Sequence, residues 1–254
     1  MQMGNRTILK PRRDLVLLLL AFAGGGTDAV AILGFNVLTA AQTGNTILLA
    51  VAVARGQFAI GISAAISVLG YVAGVAIGEF FIVRHPGSLP GRSGIVSALI
   101  AELFLLACLL LFWLAAGSTP GHEMTGLLVA LAAVAMGIQS AAVLRLHAGQ
   151  TTTYITGMLT NFTTGMIRWL LPGKPSQPTR QNPGTPEKLS GSNKPWKYGL
   201  IWVIYAAGAV FSGLLFCHTG MLWALLLPMA TIAAAIVLGS HRPSTGRKSG
   251  SRSK

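Results

Sequence analysis

Acidic side chains are scarce in this sequence. Six Asp and Glu stand beside 19 Lys and Arg, and charge of both signs amounts to 10% of 254 residues, where a soluble domain carries about a quarter. So little charge cannot coat a water-facing globule, which excludes an ordinary soluble fold. Cysteine is nearly absent as well. Cys108 and Cys217 lie in or at the end of apolar runs, so neither a disulfide framework nor a cysteine metal site can be built. The five histidines (His85, His122, His147, His218, His241) fall mostly at loops and never in metal spacing. No phosphate loop, Gly-x-Ser-x-Gly elbow or Cys-His pair occurs. Without a nucleophile and base, the sequence reads as a non-enzyme that needs no cofactor and no metal.

What is abundant is apolar sequence, 52% of the chain. Eight apolar runs recur, at about 15–35, 38–54, 59–83, 93–116, 124–146, 152–171, 198–216 and 221–239, several of them near the roughly 20 residues that cross a bilayer. Each is flanked by Gly, Pro or charge. The runs are continuously apolar rather than alternating, which predicts helices and not a barrel. The fold class expected is all-α, a polytopic helical membrane protein.

The net charge of +13 invites a nucleic-acid reading. Its placement argues against one. The cations gather in the N-terminal tail (Arg6, Lys10, Arg12, Arg13), after Arg168, and in the C-terminal tail (Arg242, Arg247, Lys248, Arg252, Lys254), all flanking apolar spans. The preference for positive charge on the cytoplasmic side accounts for that pattern, with an anionic-lipid patch as the lesser alternative. The first 24 residues also look like a signal peptide, but their counterpart later in the chain lies mid-sequence, so they are expected to stay as a structural element.

Charge also bears on how many runs cross. If all eight cross with the N-terminus inside, Arg84, Arg92 and Arg145 fall outside. If the second and sixth runs enter and leave on one side, only Arg55 does, and 18 of the 19 Lys and Arg are cytoplasmic. Six spans plus two re-entrant or short helices therefore fit better. The organisation expected is a basic cytoplasmic tail over 1–14, a first membrane repeat over 15–116, a second over 124–239 and a basic disordered tail over 240–254. A disordered Pro-rich basic loop over 172–197 interrupts the second repeat. Both termini would be cytoplasmic.

The halves echo each other. Residues 25–45 read GGTDAVAILGFNVLTAAQTGN and residues 136–161 read MGIQSAAVLRLHAGQTTTYITGMLTN. Asp28 falls opposite Gln139, Thr43-Gly44 opposite Thr156-Gly157, and Tyr71-Val-Ala-Gly74 opposite Tyr205-Ala-Ala-Gly208. Three crossings per half would set the copies in opposite orientation, an internal inverted repeat of the kind that meets at a shared site.

The polar residues of the repeat are the candidates for that site: Asp28, Gln42, Thr43, Gly44, Asn45, Gln139, Thr153, Thr156, Gly157 and Asn161, with Glu102 from the fourth run. A carboxylate at membrane depth needs a partner, a watery cavity or a proton. Asp28 follows three glycines that weaken its helix, and an N-cap or interhelical hydrogen bond is its structural alternative. Glu102 has no basic residue in its run and suits either proton coupling or a structural bond. Glu79, close to Arg84, reads as a snorkelling or paired surface group. Each Thr-Gly step looks like a break that begins a helix, and two such helix starts facing inward would favour an anion or a polar ligand. The alternative is that Thr, Gly and Asn only join helices. Gly70, Gly74 and Gly78 predict a smooth packing face. The five tryptophans (Trp113, Trp169, Trp196, Trp202, Trp223) fall near run ends and read as interface anchors.

The ordered set GGTDAVAILG, AQTGNTILL, MGIQSAAVLRL and TTYITGMLT resembles the YoaK family of bacterial membrane proteins, a domain of unknown function, over about residues 15–239. The resemblance implies about six spans in the bacterial inner membrane and no known substrate. The function expected is a transporter or channel-like protein for a small solute, or alternatively a non-transporting scaffold or accessory subunit. Its partners would be the lipid bilayer, a small-molecule solute, no nucleic acid, and a second copy of itself if it is a homo-oligomer.

Overall fold

The computed structural model describes residues 10–84, 92–117, 120–146, 155–170 and 196–240. Every regular element among them is an α-helix: α1 (Lys10–Phe35), α2 (Gln42–Arg55), α3 (Phe58–Arg84), α4 (Arg92–Ala116), α5 (His122–Leu146), α6 (Ile155–Leu170), α7 (Trp196–Thr219) and α8 (Met221–Ser240). Most of the Pro-rich loop and the tails lies outside the described residues, as does Thr153.

Length separates two kinds of helix. At 1.5 Å per residue, the 14 residues of α2 and the 16 of α6 extend about 21 and 24 Å, short of the roughly 30 Å hydrocarbon core. The other six are long and apolar enough to cross. The second run starts later than its hydropathy suggests. Leu38–Ala41 is not helical, and α2 begins at Gln42. The turn out of α1 passes through Asn36, whose φ of 57° suits a residue type that tolerates the left-handed region. Gly56, at φ 66°, closes α2 by donating to the carbonyls of Ala52 and Val53.

The spans α1 and α5 form the middle of the bundle and are its most buried. Helix α1 packs against α7, α8 and α5; α5 packs against α3, α4 and α1; the short α2 lies on α3 and the short α6 on α7. The two tightest crossings share one design. Gly25 of α1 faces the carbonyl of Tyr205 and Gly208 of α7 faces that of Phe22, so closely that a Cβ at either would overlap the opposing backbone. Gly137 of α5 faces the carbonyl of Tyr71, and Gly74 of α3 that of Val134, in the same manner. In every case the carbonyl belongs to the residue three positions before the opposing glycine. Without lipid–water contrast to press helices together, such backbone approach supplies the van der Waals contact that holds them. The face predicted from Gly70, Gly74 and Gly78 is the one that meets α5, with Gly70 set against Ala133 and Gly78 against Ile138 and Ala141.

Large apolar side chains cover the outside, among them Leu69 at 70% and Phe104 at 66% exposed, as lipid contact requires. The ion pairs lie toward the helix ends. Arg145 pairs with Glu79, and Lys197 with Asp14 at 2.5 Å. Glu79 is thus a paired surface group, as its sequence position suggested, with Arg145 as the partner. Arg84, five residues further along the same helix, instead lies over the Phe80 ring, 5.3 Å from its centroid, and α5 brings Arg145 across to the carboxylate.

Candidate functional site

Asp28 is 3% exposed and is surrounded by donors. Its Oδ1 accepts from the backbone N–H of Thr39 at 2.7 Å, the Thr39 hydroxyl at 3.2 Å and the N–H of Ala40 at 2.7 Å. Its Oδ2 accepts from the N–H of Ala41 at 3.1 Å and the Tyr205 hydroxyl at 2.6 Å. The N–H groups entering a helix have no partner within it and carry its positive end. Ala41, at the N-cap of α2, has no side-chain cap, so the carboxylate of another helix does that work. Thr43, expected to cap this helix, is exposed in its first turn. Gly44 acts sterically. A Cβ there would stand 2.5 Å from Leu38 Cδ1, so the glycine makes room for the Leu38 side chain where the loop folds onto α2.

A second knot lies beside the first. Asn45, fully buried, accepts from the Leu38 N–H at 2.9 Å and donates to the Leu38 carbonyl at 2.5 Å, to Gln42 Oε1 at 2.9 Å and to Ser67 Oγ at 2.8 Å. Gln42 donates to the Thr39 carbonyl at 2.7 Å, and Ser67 to the Leu38 carbonyl at 2.6 Å. In the first half, then, Asp28, Gln42, Gly44 and Asn45 form one connected unit that holds the start of α2 against α1, α3 and α7.

The second half is built differently. Counted from the contact glycines Gly25 and Gly137, the third residue on is Asp28 in α1 and Ser140 in α5. The register suggested by the letters, Asp28 opposite Gln139, therefore moves by one. Ser140 donates back to the Met136 carbonyl at 2.9 Å. Met158, which follows Thr156-Gly157 as Asn45 follows Thr43-Gly44, packs with Ala21 and Ile201. Ile201 precedes Tyr205 by four residues, as Ser67 precedes Tyr71, so an apolar contact stands where the first half has Asn45 and Ser67. Thr156 is exposed and Asn161 half-buried. The hydroxyls of Thr160, Thr163 and Thr164 bond to carbonyls one turn back in α6, at 3.0, 2.9 and 2.8 Å. They are satisfied locally and do not converge with the first-half knot.

Among the described residues, three buried side chains stay unpaired: both oxygens of Glu102, both polar atoms of Gln139, and the Ser212 hydroxyl. All three residues are 0% exposed. Gln139 reaches the α1·α7 seam. The position a Cβ would take at Gly24 is 3.4 Å from Gln139 Oε1 and 3.8 Å from Tyr205 Cε2, so α5 delivers the carboxamide beside the tyrosine that binds Asp28. Two residues along, the same construction at Gly26 lies 2.6 Å from Ser212 Oγ. Glu102 sits on α4, which packs against α3, α5 and α8. Among the described residues no three His, Cys, Asp or Glu stand close enough to hold a metal.

Sequence reasoning passed over Thr39 and Ser67 and did not place Tyr205 in the site. For Tyr205 a signal existed, since the Tyr-x-x-Gly echo tied it to the packing glycines. Thr39 and Ser67 carried none, because their roles depend on a loop meeting a distant helix.

An all-helical chain with six helices long and apolar enough to span is a polytopic integral membrane protein. Residues 16–238 match the family described as Protein of unknown function (DUF1275), and the chain belongs to that family. It is similar to UPF0700 transmembrane protein YoaK of Bacillus subtilis (strain 168), with 30% identity over 152 residues that take in 58% of this chain and 64% of that protein. No solved structure matches the chain.

Proposed function

We propose that the protein passes a small solute across the cell's inner membrane, as a transporter or channel-like protein. Its two four-helix halves are related as an inverted repeat, and both termini are cytoplasmic. The observation that carries this reading is Gln139, wholly buried with both polar atoms unpaired, beside the Tyr205–Asp28 contact where α1, α5 and α7 meet. A buried unpaired amide costs about 1–3 kcal/mol, and a fold that keeps one at its centre has a use for it. The repeat is supported by the doubled glycine–carbonyl crossing. Three spans precede α5, so α1 and α5 enter from opposite faces. The orientation is supported by the cation-rich tails and loop.

One observation favours a second reading, a non-transporting scaffold. Every oxygen of Asp28 is already engaged by the protein's own donors, which is what an architectural carboxylate looks like. Cysteine scanning separates the two readings. With Cys108 and Cys217 replaced by Ser, single cysteines at Gln139, Ser212 and positions 40–46 are treated in intact cells with a water-soluble thiol reagent. Labelling at Gln139 or Ser212 is expected for a transporter. Uniform protection, with the protein present in the membrane, would establish the scaffold instead.

A further inference from the structure

The centre of the bundle has already spent its charged recognition. The N–H groups of Thr39, Ala40 and the N-cap Ala41, which lead into α2 and would otherwise draw an anion, are filled by Asp28. Those contacts, with the hydroxyls of Thr39 and Tyr205, take up the carboxylate oxygens that a cation would need. Among the described residues, what remains unpaired around α1 is neutral. Gln139 offers two N–H donors and a carbonyl acceptor, and Ser212 a hydroxyl. Glycine on α1 stands against both groups: a Cβ at Gly24 would meet Gln139 Oε1 at 3.4 Å, and one at Gly26 would crowd Ser212 Oγ at 2.6 Å.

We infer that the site takes a small uncharged solute able both to give and to accept hydrogen bonds, of the polyol or amide class. Gln139 is its principal binding group, and Gly24 sets no side chain against its carbonyl oxygen. The inference rests on the transport reading above and adds to it the class of solute. Selection follows from the unpaired groups themselves. A carboxamide with no internal partner is satisfied only by a ligand that offers both an acceptor and a donor, and an ion of either sign meets one of those needs and leaves the other group bare. Glu102, the remaining unpaired group, stands on α4 and adds at most a single carboxyl, far from the ligand number a metal cation requires.

The experiment uses the purified full chain in liposomes. Swelling is followed by light scattering under inward gradients of glycerol, urea, potassium chloride or sodium formate. The wild-type protein should admit glycerol or urea and not the salts. Gln139→Leu, which removes an amide that has no partner, should cut that flux by about tenfold or more while leaving thermal stability unchanged or raised. Gly24→Val should block the flux as well, and Gly24→Ala, whose methyl has ordinary contacts, gives a folded second variant should the valine misfold. Neutral flux that survives Gln139→Leu would overturn the inference. Salt flux without glycerol or urea flux would overturn the solute class and leave transport standing. No flux of any of the four probes would remove both readings.

Discussion

The hydroxyl of Tyr205 on α7 donates to Oδ2 of Asp28 on α1 at 2.6 Å, joining two spans that stand 177 positions apart at the point where the N-terminus of a short helix also ends. One carboxylate thus fixes α1, α2 and α7 together. Loss of the tyrosine hydroxyl leaves Asp28 with its other donors, so Tyr205→Phe should cost about 1.5–3 kcal/mol of stability, the worth of one charged-group bond. Thermal unfolding in detergent reads this, and a double-mutant cycle with Asp28→Asn should show coupling between the two residues.

Asp28→Asn should be more damaging than Tyr205→Phe. An amide in this place keeps one acceptor oxygen but turns an NH2 group toward donors at Ala41 and Tyr205, or toward those at Thr39 and Ala40 if it flips. A charged-group bond is worth about 1.5–3 kcal/mol, and the expected result is a clear fall in melting temperature. An Asn variant that unfolds like wild type but no longer moves solute would show that Asp28 serves the ligand and not the helix.

The glycine crossings supply a paired test. Gly25→Ala and Gly74→Ala each drive a methyl into an opposing carbonyl, of Tyr205 and Val134 respectively. Each should destabilise by about 1–3 kcal/mol or more, as overpacking does. Gly34→Ala, whose methyl would find only the Phe216 ring at 3.7 Å, is the tolerated control. Folded yield after size-exclusion chromatography should rank Gly34→Ala above the other two, and equal damage from Gly25 and Gly74 is what two matching crossings require.

Asn45 and Met158 each follow a Thr-Gly step and have opposite chemistry. Asn45→Ala leaves the Leu38 peptide and Ser67 Oγ short of partners, a loss of about 1–3 kcal/mol. Met158→Ala opens a hole beside Ala21 and Ile201 at about 2–5 kcal/mol. Protease accessibility should then rise around residues 36–41 in the first variant and around α6 in the second. The reverse assignment would break the correspondence.

Glu102 calls for a different comparison. A wholly buried carboxyl with no partner gives the fold nothing to lose, so Glu102→Met, close in volume, should be neutral or stabilising in thermal unfolding. A marked fall in stability with Met would mean that the carboxyl has a structural partner. Reduced solute flux at unchanged stability would tie it to function.

Much of the architecture was open to inspection in the letters, and particular residues show why. Arg84, Arg92 and Arg145 argued for six crossings because positive charge is kept on the cytoplasmic side whatever the packing, and the shortness of α2 and α6 agrees. Gly70, Gly74 and Gly78 marked a contact face because i, i+4 spacing keeps residues on one side of any helix. The candidate site was legible only in pieces. Asp28, Gln139 and Glu102 stood out as polar groups in apolar runs, and all three are buried. Thr156 drew equal notice, yet it is exposed, and the threonines at 160, 163 and 164 of the same helix each bond one turn back. Polarity is a property of the residue, while the choice between a local carbonyl and a distant partner is made by the surrounding helices.

Sequence by itself determined that this is a multi-span helical membrane protein with an echoed pair of halves, because hydropathy, charge exclusion and helical period act along the chain and need no knowledge of neighbours. Tertiary structure alone decided which polar groups are spent and which are free. Asp28 is saturated because a loop eleven to thirteen residues away and a tyrosine on α7 fold onto it. Gln139 is bare because α5 carries it into a seam where glycine supplies no partner. Hydrogen bonding is short-ranged and directional, so whether a buried polar group anchors the fold or waits for a ligand depends on ångström-scale placement that only the packed bundle defines.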